Sequence, residues 1–412
     1  MKKKKILVIS DHALSPSGVG VQTRFLIEGL LKKGDMSFIQ LGAAVKHQDY
    51  RTTVVNKDFI IKPIDGFGNP DMLRALLLNE KPDALFIFTD PRFFTWLFEI
   101  EDEIHQVCPI LWWHVWDNRP TPRFNDWMYD ATDAINCHSH LTYEMCSENY
   151  PEKTSFIPHA IPPHIIHRLP EDMISSEKER ILGTSRKNSF VCMWMNRNCK
   201  RKRPADVLQS WKLFLDKFED KSDKLLLMHT DPNDNAGHNL IEIALMLGIQ
   251  DNISFSTEKL DFRFINILHN ISDVTLNISF NEGFGLTTLE SMQAGTPIIS
   301  IKTGGLTRQV VDHRDGSENG YALDPDITVL NGSQNIPYIS EDYVSCEKVA
   351  DAIYKYYNLS LEDKKSLSLK VEKYALEEFN YQKTVDLWHE SFLKTIENHK
   401  NNKKEIRLIE VC

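Results

Sequence analysis

Residues 278–305 read ISFNEGFGLTTLESMQAGTPIISIKTGG. The run has the order of a strand, a loop and a helix: a strand ends near Ser279, a loop with two glycines follows, and a helix begins around Leu286–Thr288. In a parallel sheet, a turn from strand to helix lies at the carboxyl edge, where open α/β sheets bind their ligands. This segment therefore predicts a ligand site at the edge of a parallel sheet.

Short apolar runs alternate with helical patterns along most of the 412 residues. Continuous apolar runs such as KILVIS at 5–10 and ALFIF at 84–88 are typical of parallel strands that are covered on both faces. A proline-punctuated stretch, FIPHAIPP at 156–163, marks a domain junction, after which a charged segment leads to a second series that restarts at residue 189. We predict two tandem, doubly wound α/β domains over 1–165 and 166–380, and a C-terminal helix with a tail over 381–412.

Composition and charge exclude several classes of protein. The 48 basic and 58 acidic side chains give a net charge of −10, which argues against a protein that binds mainly by neutralising a phosphate backbone. The seven cysteines are scattered without a C-x-x-C pair and indicate reduced thiols. The lysine-rich start precedes only a short apolar run, too short for a signal peptide. No stretch approaches the about 18 uninterrupted apolar residues of a transmembrane helix. We expect a cytoplasmic protein without a transmembrane segment, with a peripheral membrane association left open.

The residue types in 278–305 suit a nucleotide-sugar. Glycines allow backbone N–H groups to approach a ligand, and the N-terminus of the following helix favours an anion. A carboxylate at Glu290, in the first turns of that helix, accepts two hydrogen bonds side by side and so suits a vicinal diol. Glu282, in the loop, is placed to hold a second hydroxylated group. A phosphate between two diols that are bound by carboxylates describes a nucleotide-sugar.

With Glu282 and Glu290 eight positions apart, the segment resembles the E-x7-E signature of the retaining GT-B glycosyltransferases of family GT4. The resemblance implies two Rossmann-like domains that face one another across a cleft, with the nucleotide-sugar on the second domain and the final helix returning to the first. It also implies that Glu282 contacts the donor sugar and Glu290 the nucleotide ribose. The donor-binding residues expected in this segment are Glu282, Gly283, Phe284, Gly285, Leu286, Thr287 and Glu290.

A second basic segment, MNRNCKRKRP at 195–204, follows a predicted strand. It resembles the family's pattern of an arginine followed five residues later by a lysine, which Arg197 and Lys202 match. The resemblance implies that both cations reach the donor diphosphate, where they would stabilise the charge of the leaving group. The neighbouring Lys200, Arg201 and Arg203 are expected in solvent, although any of them could substitute if the register differs.

Two features of the first domain carry weaker resemblances. Gly18 and Gly20, between the first strand and the first helix, resemble the family's glycine loop, which folds over the diphosphate; the complete G-x-G-x-x-G of a dinucleotide-binding dehydrogenase is absent. His114, in WWHVWD at 112–117, resembles a histidine at a strand end that contacts the donor sugar, and Asp117 is expected behind it.

Some positions depart from the family's patterns or match another pattern by letters only. Asp324-Pro325-Asp326 has the letters of a metal-binding D-x-D but is interpreted as a turn, and no cluster of His, Cys and carboxylate residues has metal-site spacing. In the predicted hinge, His159 and Pro162 replace an Asn and an Asp of the family pattern. After Gly304-Gly305, Thr307-Arg308 replaces a Pro-Glu pair, which changes the charge near the donor site.

Together these patterns predict a glycosyltransferase that moves a sugar from a nucleotide-sugar to an acceptor hydroxyl, and we expect the donor to be a UDP- or GDP-sugar. The resemblance implies retention of configuration, no metal and no cofactor. The acceptor is a glycan, a lipid or another hydroxyl compound, and the sequence does not indicate the oligomeric state. Two alternatives stay open: a glycosyltransferase that acts on a modified DNA base, which the acidic balance disfavours, and a nucleotide-sugar-binding protein without catalysis.

Overall fold

The computed structural model describes residues 3–402, which divide into two compact units. The first unit contains the chain up to residue 115, residues 121–158 and the chain from residue 382; the second contains 116–120 and 159–381. Residues 116–120 and 159–165 therefore lie with the second unit, whereas the predicted division assigned them to the first. For 116–120 the reason is local hydrogen bonding, because Asn118 donates to the side chains of Thr303 and Asp342.

The first unit is built on a sheet of eight strands in the order β3-β4-β2-β1-β5-β6-β7-β8. Only β3 runs antiparallel to its neighbour. The strands are β1 Lys4–Asp11, β2 Met36–Ala43, β3 Thr53–Asn56, β4 Phe59–Pro63, β5 Ala84–Thr89, β6 Ile110–His114, β7 Ala134–Cys137 and β8 Thr154–Phe156. The helices are α1 Gly18–Leu31, α2 Pro70–Glu80, α3 Thr95–Phe98, α4 Glu101–His105, α5 Asp126–Asp130 and α6 His140–Ser147.

The second unit has a parallel sheet of six strands in the order β11-β10-β9-β12-β13-β14. Its strands are β9 Phe190–Met195, β10 Lys224–His229, β11 Ile253–Ser256, β12 Val274–Asn277, β13 Ile298–Ile301 and β14 Gly320–Leu323. Its helices are α7 Glu171–Leu182, α8 Pro204–Leu215, α9 Leu240–Leu247, α10 Phe262–Ile271, α11 Leu286–Gln293, α12 Thr307–Val310, α13 Cys346–Tyr357 and α14 Leu361–Glu378. All six residues of β9 are buried, as expected of a central strand that is covered on both faces.

Two segments of the second unit differ from the sequence prediction. Residues 324–338 are polar and rich in turn residues, a pattern that predicts a surface loop, but they contain strand β15 Ile327–Asn331, which pairs antiparallel with β16 Ile339–Tyr343. The five residues of β15 are exposed, so no buried apolar run marked the strand. The charged segment after the predicted junction forms α7, which buries none of its residues fully.

The last helix, α15 Tyr381–Asn402, packs in the first unit. The ring of Trp388 is fully buried, with its centroid 4.9 Å from that of Phe86 and 5.2 Å from that of Trp113. In the N-terminal half of the helix, His389 Nε2 lies 2.9 Å from a carboxylate oxygen of Asp35. Within residues 3–402, no helix is long and apolar enough to cross a membrane.

Candidate donor-binding site

Two loops of the second unit meet at the carboxyl edge of its sheet. From β9 the chain moves outward to β10 and β11, and it then returns to β12 on the other side of β9. The position between β9 and β12 is therefore the point where the strand order reverses, and open α/β sheets bind ligands at such points. The backbone N–H of Phe280, after β12, donates to the carbonyl oxygen of Arg201, after β9, at 3.0 Å.

A buried ion pair joins the two loops. The ammonium of Lys202 donates to the carboxylate of Glu282, and both residues are buried. Burial raises the pKa of Glu282, but Lys202 and Arg201 together bring it below its ordinary value. Burial also lowers the pKa of Lys202, with Glu282 acting in the opposite direction. Because buried charges are costly without partners, this pair holds both loops in one arrangement.

Arg201 extends this cluster to a third segment. Its Nη1 lies 3.5 Å from Glu282 Oε2 and 3.6 Å from Asp117 Oδ2, and it donates to the carbonyl oxygen of Asn281 at 2.8 Å. Asn118, next in sequence to Asp117, donates to Asp342 Oδ2 at 2.7 Å. The positive charges of Lys202 and Arg201 are thus neutralised by the carboxylates of Glu282 and Asp117.

Glycines allow the loop after β12 to adopt its path. Gly285 has φ +89° and immediately precedes α11, in a conformation that L side chains rarely adopt. A Cβ on Gly305 would lie 2.3 Å from the carbonyl oxygen of Gly283, so the Gly304-Gly305 turn packs directly on this loop. Phe284 is buried, with its ring centroid 5.0 Å from that of His159. Leu286 and Thr287 are the first two residues of α11 and are half-buried.

Glu290 lies on α11 with 15% of its side chain exposed. Its Oε2 is 3.2 Å from Nε2 of His269, a residue of α10 that has no exposed surface. The first turn of α11 carries backbone N–H groups that no helical carbonyl satisfies, and the carboxylate of Glu290 follows one turn later. This arrangement suits a phosphate followed by a hydroxylated ring.

Two of the five cations in the basic segment after β9, Arg201 and Arg203, differ from the sequence expectation. Arg197 has 67% of its side chain exposed and donates to the carboxylate of Asp234, with Nε 2.8 Å from Oδ2. Lys200 is exposed as expected. Arg201 keeps 39% of its side chain exposed but pairs with Glu282. Arg203 is buried and donates to Asp206 and to the carbonyl oxygen of Val344.

The glycines expected at the site in the first unit begin α1. Gly20 donates its N–H to the hydroxyl of Ser17, the N-cap of the helix, at 3.0 Å. A Cβ on Gly20 would lie 2.5 Å from the carbonyl oxygen of His12, so the loop itself requires glycine there. Gly18 is the first residue of α1 and is exposed.

His114 ends β6 as predicted, but its ring points into the core of the first unit. It has no exposed surface, and its Nε2 lies 2.8 Å from the hydroxyl of Tyr129. The ring centroid of Trp112 is 4.3 Å away. The expected contact of His114 with a donor sugar is therefore not supported by its position, because packing against two aromatic rings fills the space around the imidazole.

The carboxylates of the D-x-D letters pair with lysines. Asp324 lies 2.6 Å from Lys302 Nζ, and Asp326 lies 3.0 Å from Lys348 Nζ. Across residues 3–402, no group of three or more His, Cys, Asp or Glu side chains is arranged to hold a metal ion. Arg308, which changes the charge after Gly304-Gly305, donates to Glu378 on α14 at 2.7 Å.

Sequence reasoning missed the contacts that Arg201, Asp117 and His269 make at the site. Arg201 sits in a run of four consecutive cations, within which spacing does not tell which side chain turns inward. Asp117 was expected behind His114, but it belongs to a short excursion of the chain into the second unit, which no local pattern reveals. His269 lies on the helix before β12, and only the packing of α10 beside α11 brings it to Glu290.

Parts of the chain are similar in sequence to known glycosyltransferases and related proteins. Residues 175–356 match the family described as glycosyl transferases group 1. The D-inositol 3-phosphate glycosyltransferase of Corynebacterium diphtheriae is 28% identical over 144 residues, 34% of this chain and 33% of that protein. The trehalose synthase of Pyrococcus horikoshii is 44% identical over 54 residues, 13% of each chain. The chain thus aligns with about a third or less of the length of these relatives.

Solved structures resemble the chain over nearly its whole length. Sucrose-phosphate synthase from Thermosynechococcus elongatus has a TM-score of 0.72 at 13% identity, covering 96% of this chain and all of that one. Anabaena HepE in complex with UDP and glucose has a TM-score of 0.69 at 14% identity, covering 95% of this chain and all of that one. The predicted GT-B fold is confirmed by these likenesses.

Proposed function

We propose that the chain transfers a sugar from a nucleotide-sugar to an acceptor hydroxyl, with retention and without a metal ion. The match of residues 175–356 to the family described as glycosyl transferases group 1 supports this proposal. The observation that carries the proposal is the cluster of Lys202, Arg201 and Glu282 at the point where the strand order of the second unit reverses. The cluster combines cations suited to a diphosphate with a carboxylate suited to sugar hydroxyls. The similar fold of HepE, a protein solved in complex with UDP and glucose, favours a UDP-sugar as donor.

In this proposal, Glu282 changes partners when the donor binds. Without donor, Glu282 neutralises Lys202 and Arg201, and Asp234 neutralises Arg197. When the diphosphate reaches Lys202 and Arg197, the Glu282 carboxylate is released to accept hydrogen bonds from hydroxyls of the donor sugar. The ammonium of Lys202, which pairs with Glu282 in the structure, thus becomes a charge that binds the leaving group.

The cations act on the bond that breaks. As the bond between the sugar C1 and the diphosphate oxygen breaks, its electron pair goes to the diphosphate, whose growing charge Lys202 and Arg197 stabilise. The acceptor oxygen forms its bond to C1 on the same face, and the proton of the acceptor passes to the departing phosphate oxygen. Attack on the same face retains the configuration at C1 without a covalent enzyme intermediate.

A thermal-shift screen with UDP-, GDP-, ADP- and TDP-sugars tests the proposal. A donor that binds the native state raises the melting temperature by mass action, so the largest shift identifies the nucleotide. Release of the nucleoside diphosphate from that donor should then be measured in wild type and in Lys200→Ala, which alters an exposed cation. Binding without turnover under all acceptor conditions indicates a binding protein, and the absence of any shift contradicts the proposed function.

A further inference from the structure

His269 is the one histidine of the second unit, within residues 3–402, whose ring hydrogen-bonds a carboxylate assigned to the donor. It lies in the last turn of α10 and has no exposed surface. Its Nε2 is 3.2 Å from Oε2 of Glu290. Its backbone is also fixed, because the hydroxyl of Thr296 donates to its carbonyl oxygen at 2.7 Å.

The chemistry of this contact defines which group donates. A carboxylate only accepts hydrogen bonds, so Nε2 of His269 carries a hydrogen and donates it to Glu290, whichever charge the ring bears. The second ring nitrogen, Nδ1, is buried and has no hydrogen-bond partner among the described residues. The bond to Glu290 is therefore the polar contact that orients the imidazole, and it fixes the carboxylate in return.

We propose that His269 is a positioning residue for recognition of the nucleotide ribose. It holds Oε2 of Glu290, so that Oε1 and the exposed edge of the carboxylate are aligned for the ribose hydroxyls before the nucleotide arrives. A carboxylate that is fixed in advance loses less conformational freedom on binding, which strengthens the contact with the hydroxyls. This inference rests on the proposed function, because it concerns the same donor site.

Discrimination between ribose and deoxyribose measures the alignment directly. The probes are UDP, 2′-deoxy-UDP and 3′-deoxy-UDP, or the same series with GDP or ADP if the nucleotide-sugar screen selects another base. Titration calorimetry gives the ratio of Kd values for deoxy and ribo forms. Wild type should favour the ribo form by about tenfold or more against at least one deoxy analogue, as expected for a lost hydrogen bond to a charged group.

Variants of His269 distinguish its alignment of the Glu290 carboxylate from the packing of its ring. His269→Phe keeps a ring but removes the donor, and the ratio should fall to about twofold or less. His269→Gln restores an N–H donor and should recover part of the preference. Arg263→Ala is the matched control, because Arg263 is an exposed residue of the same helix α10; it should leave the ratio unchanged. In a Glu290→Gln background, His269→Phe should change the ratio no further.

The outcomes distinguish a failure of the proposed function from a failure of the role proposed for His269. If wild type binds no nucleoside diphosphate, the proposed function fails and this inference fails with it. If wild type favours ribose and Glu290→Gln abolishes the preference, but both His269 variants keep it, only the role of His269 is overturned. If His269→Phe does not fold, the ratio of Kd values is measured in His269→Gln and in the double variant His269→Gln/Glu290→Gln. If the two changes lower the ratio additively in the double variant, His269 does not act through Glu290, and its proposed role is overturned.

Discussion

Lys202, the buried cation that follows β9, is paired with Glu282, the buried carboxylate that follows β12. The two residues come from opposite sides of the strand reversal, and Arg201 adds a second cation to the same carboxylate. The pair therefore links the stability of the second unit to the chemistry proposed for the site. A change that removes one charge should alter both.

Glu282→Gln should lower the free energy of unfolding by about 3 kcal/mol, because it leaves Lys202 as a buried charge without its carboxylate. The same change makes the cluster more positive, so free nucleoside diphosphate should bind at least as tightly as to wild type. The intact nucleotide-sugar should lose affinity, since the contact with its sugar is gone. Chemical denaturation and titration calorimetry measure the two effects.

Glu258→Gln is the control, because Glu258 is exposed and should change neither property. Equal affinity of the Glu282 variant and wild type for the intact donor would contradict the assignment of Glu282 to the sugar.

Arg197 and Asp234 give a second prediction. Arg197→Ala should lower kcat by roughly 10²–10³-fold with a smaller change in donor KM, the range for loss of one electrostatic contact that stabilises the transition state. Asp234→Asn frees Arg197 from its ion pair and should lower donor KM by about two- to fivefold, the scale of an exposed pair.

Lys200→Ala, at the exposed neighbour, should leave both constants unchanged. If Arg197→Ala is as active as wild type while Arg201→Ala loses the large factor in kcat, the diphosphate is held by Arg201 and Lys202 instead.

Treatment with a chelator should leave activity intact. In the proposed mechanism, side-chain cations stabilise the diphosphate, so no metal ion is needed for departure of the leaving group. Initial rates before and after EDTA treatment and buffer exchange measure this directly. Loss of activity that Mn²⁺ or Mg²⁺ restores would falsify the assignment of Lys202 and Arg197 to the leaving group.

His105 predicts a pH dependence of stability in the first unit. Burial lowers its pKa, but hydrogen bonds to Asp133 and Glu101, with Nε2 and Nδ1 at 2.9 and 2.6 Å, raise it above the ordinary value. A raised folded pKa stabilises the native state below the unfolded pKa of about 6.5, and this stabilisation is lost as pH rises through the folded value. The stability difference between wild type and His105→Gln should therefore shrink from about pH 5.5 to about pH 8.5.

Chemical denaturation across that range measures the difference, and His238→Gln, at an exposed histidine, should show none of it. If the stability difference between wild type and His105→Gln grows with pH, the interaction of His105 with two carboxylates does not stabilise the protein as predicted.

The sequence predicted those parts of the fold that depend on local pattern. β9 and its neighbours are continuous apolar runs, and such runs specify a parallel sheet whatever surrounds them. The hairpin of β15 and β16 was missed because β15 is fully exposed and carries no burial pattern. In the site, the resemblance to the family's motifs predicted Glu282 and Lys202 as site residues, and the structure adds that they form an ion pair.

His114 shows the limit of the same reasoning. Its place at the end of β6 was predicted correctly, but the direction of the ring depends on Tyr129 and Trp112, which pack around it. Arg201 shows the converse, since a residue assigned to solvent turns towards Glu282 and Asp117. Side-chain direction within a run of like residues is decided by tertiary partners, which a single sequence does not display.

The placement of α15 in the first unit also determines the order in which the two units can be completed during translation. Strands β1 to β8 are translated before residues 159–381 of the second unit, but the helix whose Trp388 covers Phe86 and Trp113 is translated after them. Until α15 emerges, those aromatic rings on the nascent sheet are open to water and to chaperones. Residues 116–120 and 159–381, in contrast, are all available once residue 381 has cleared the ribosome exit tunnel. The unit that is begun first is therefore the last to be completed.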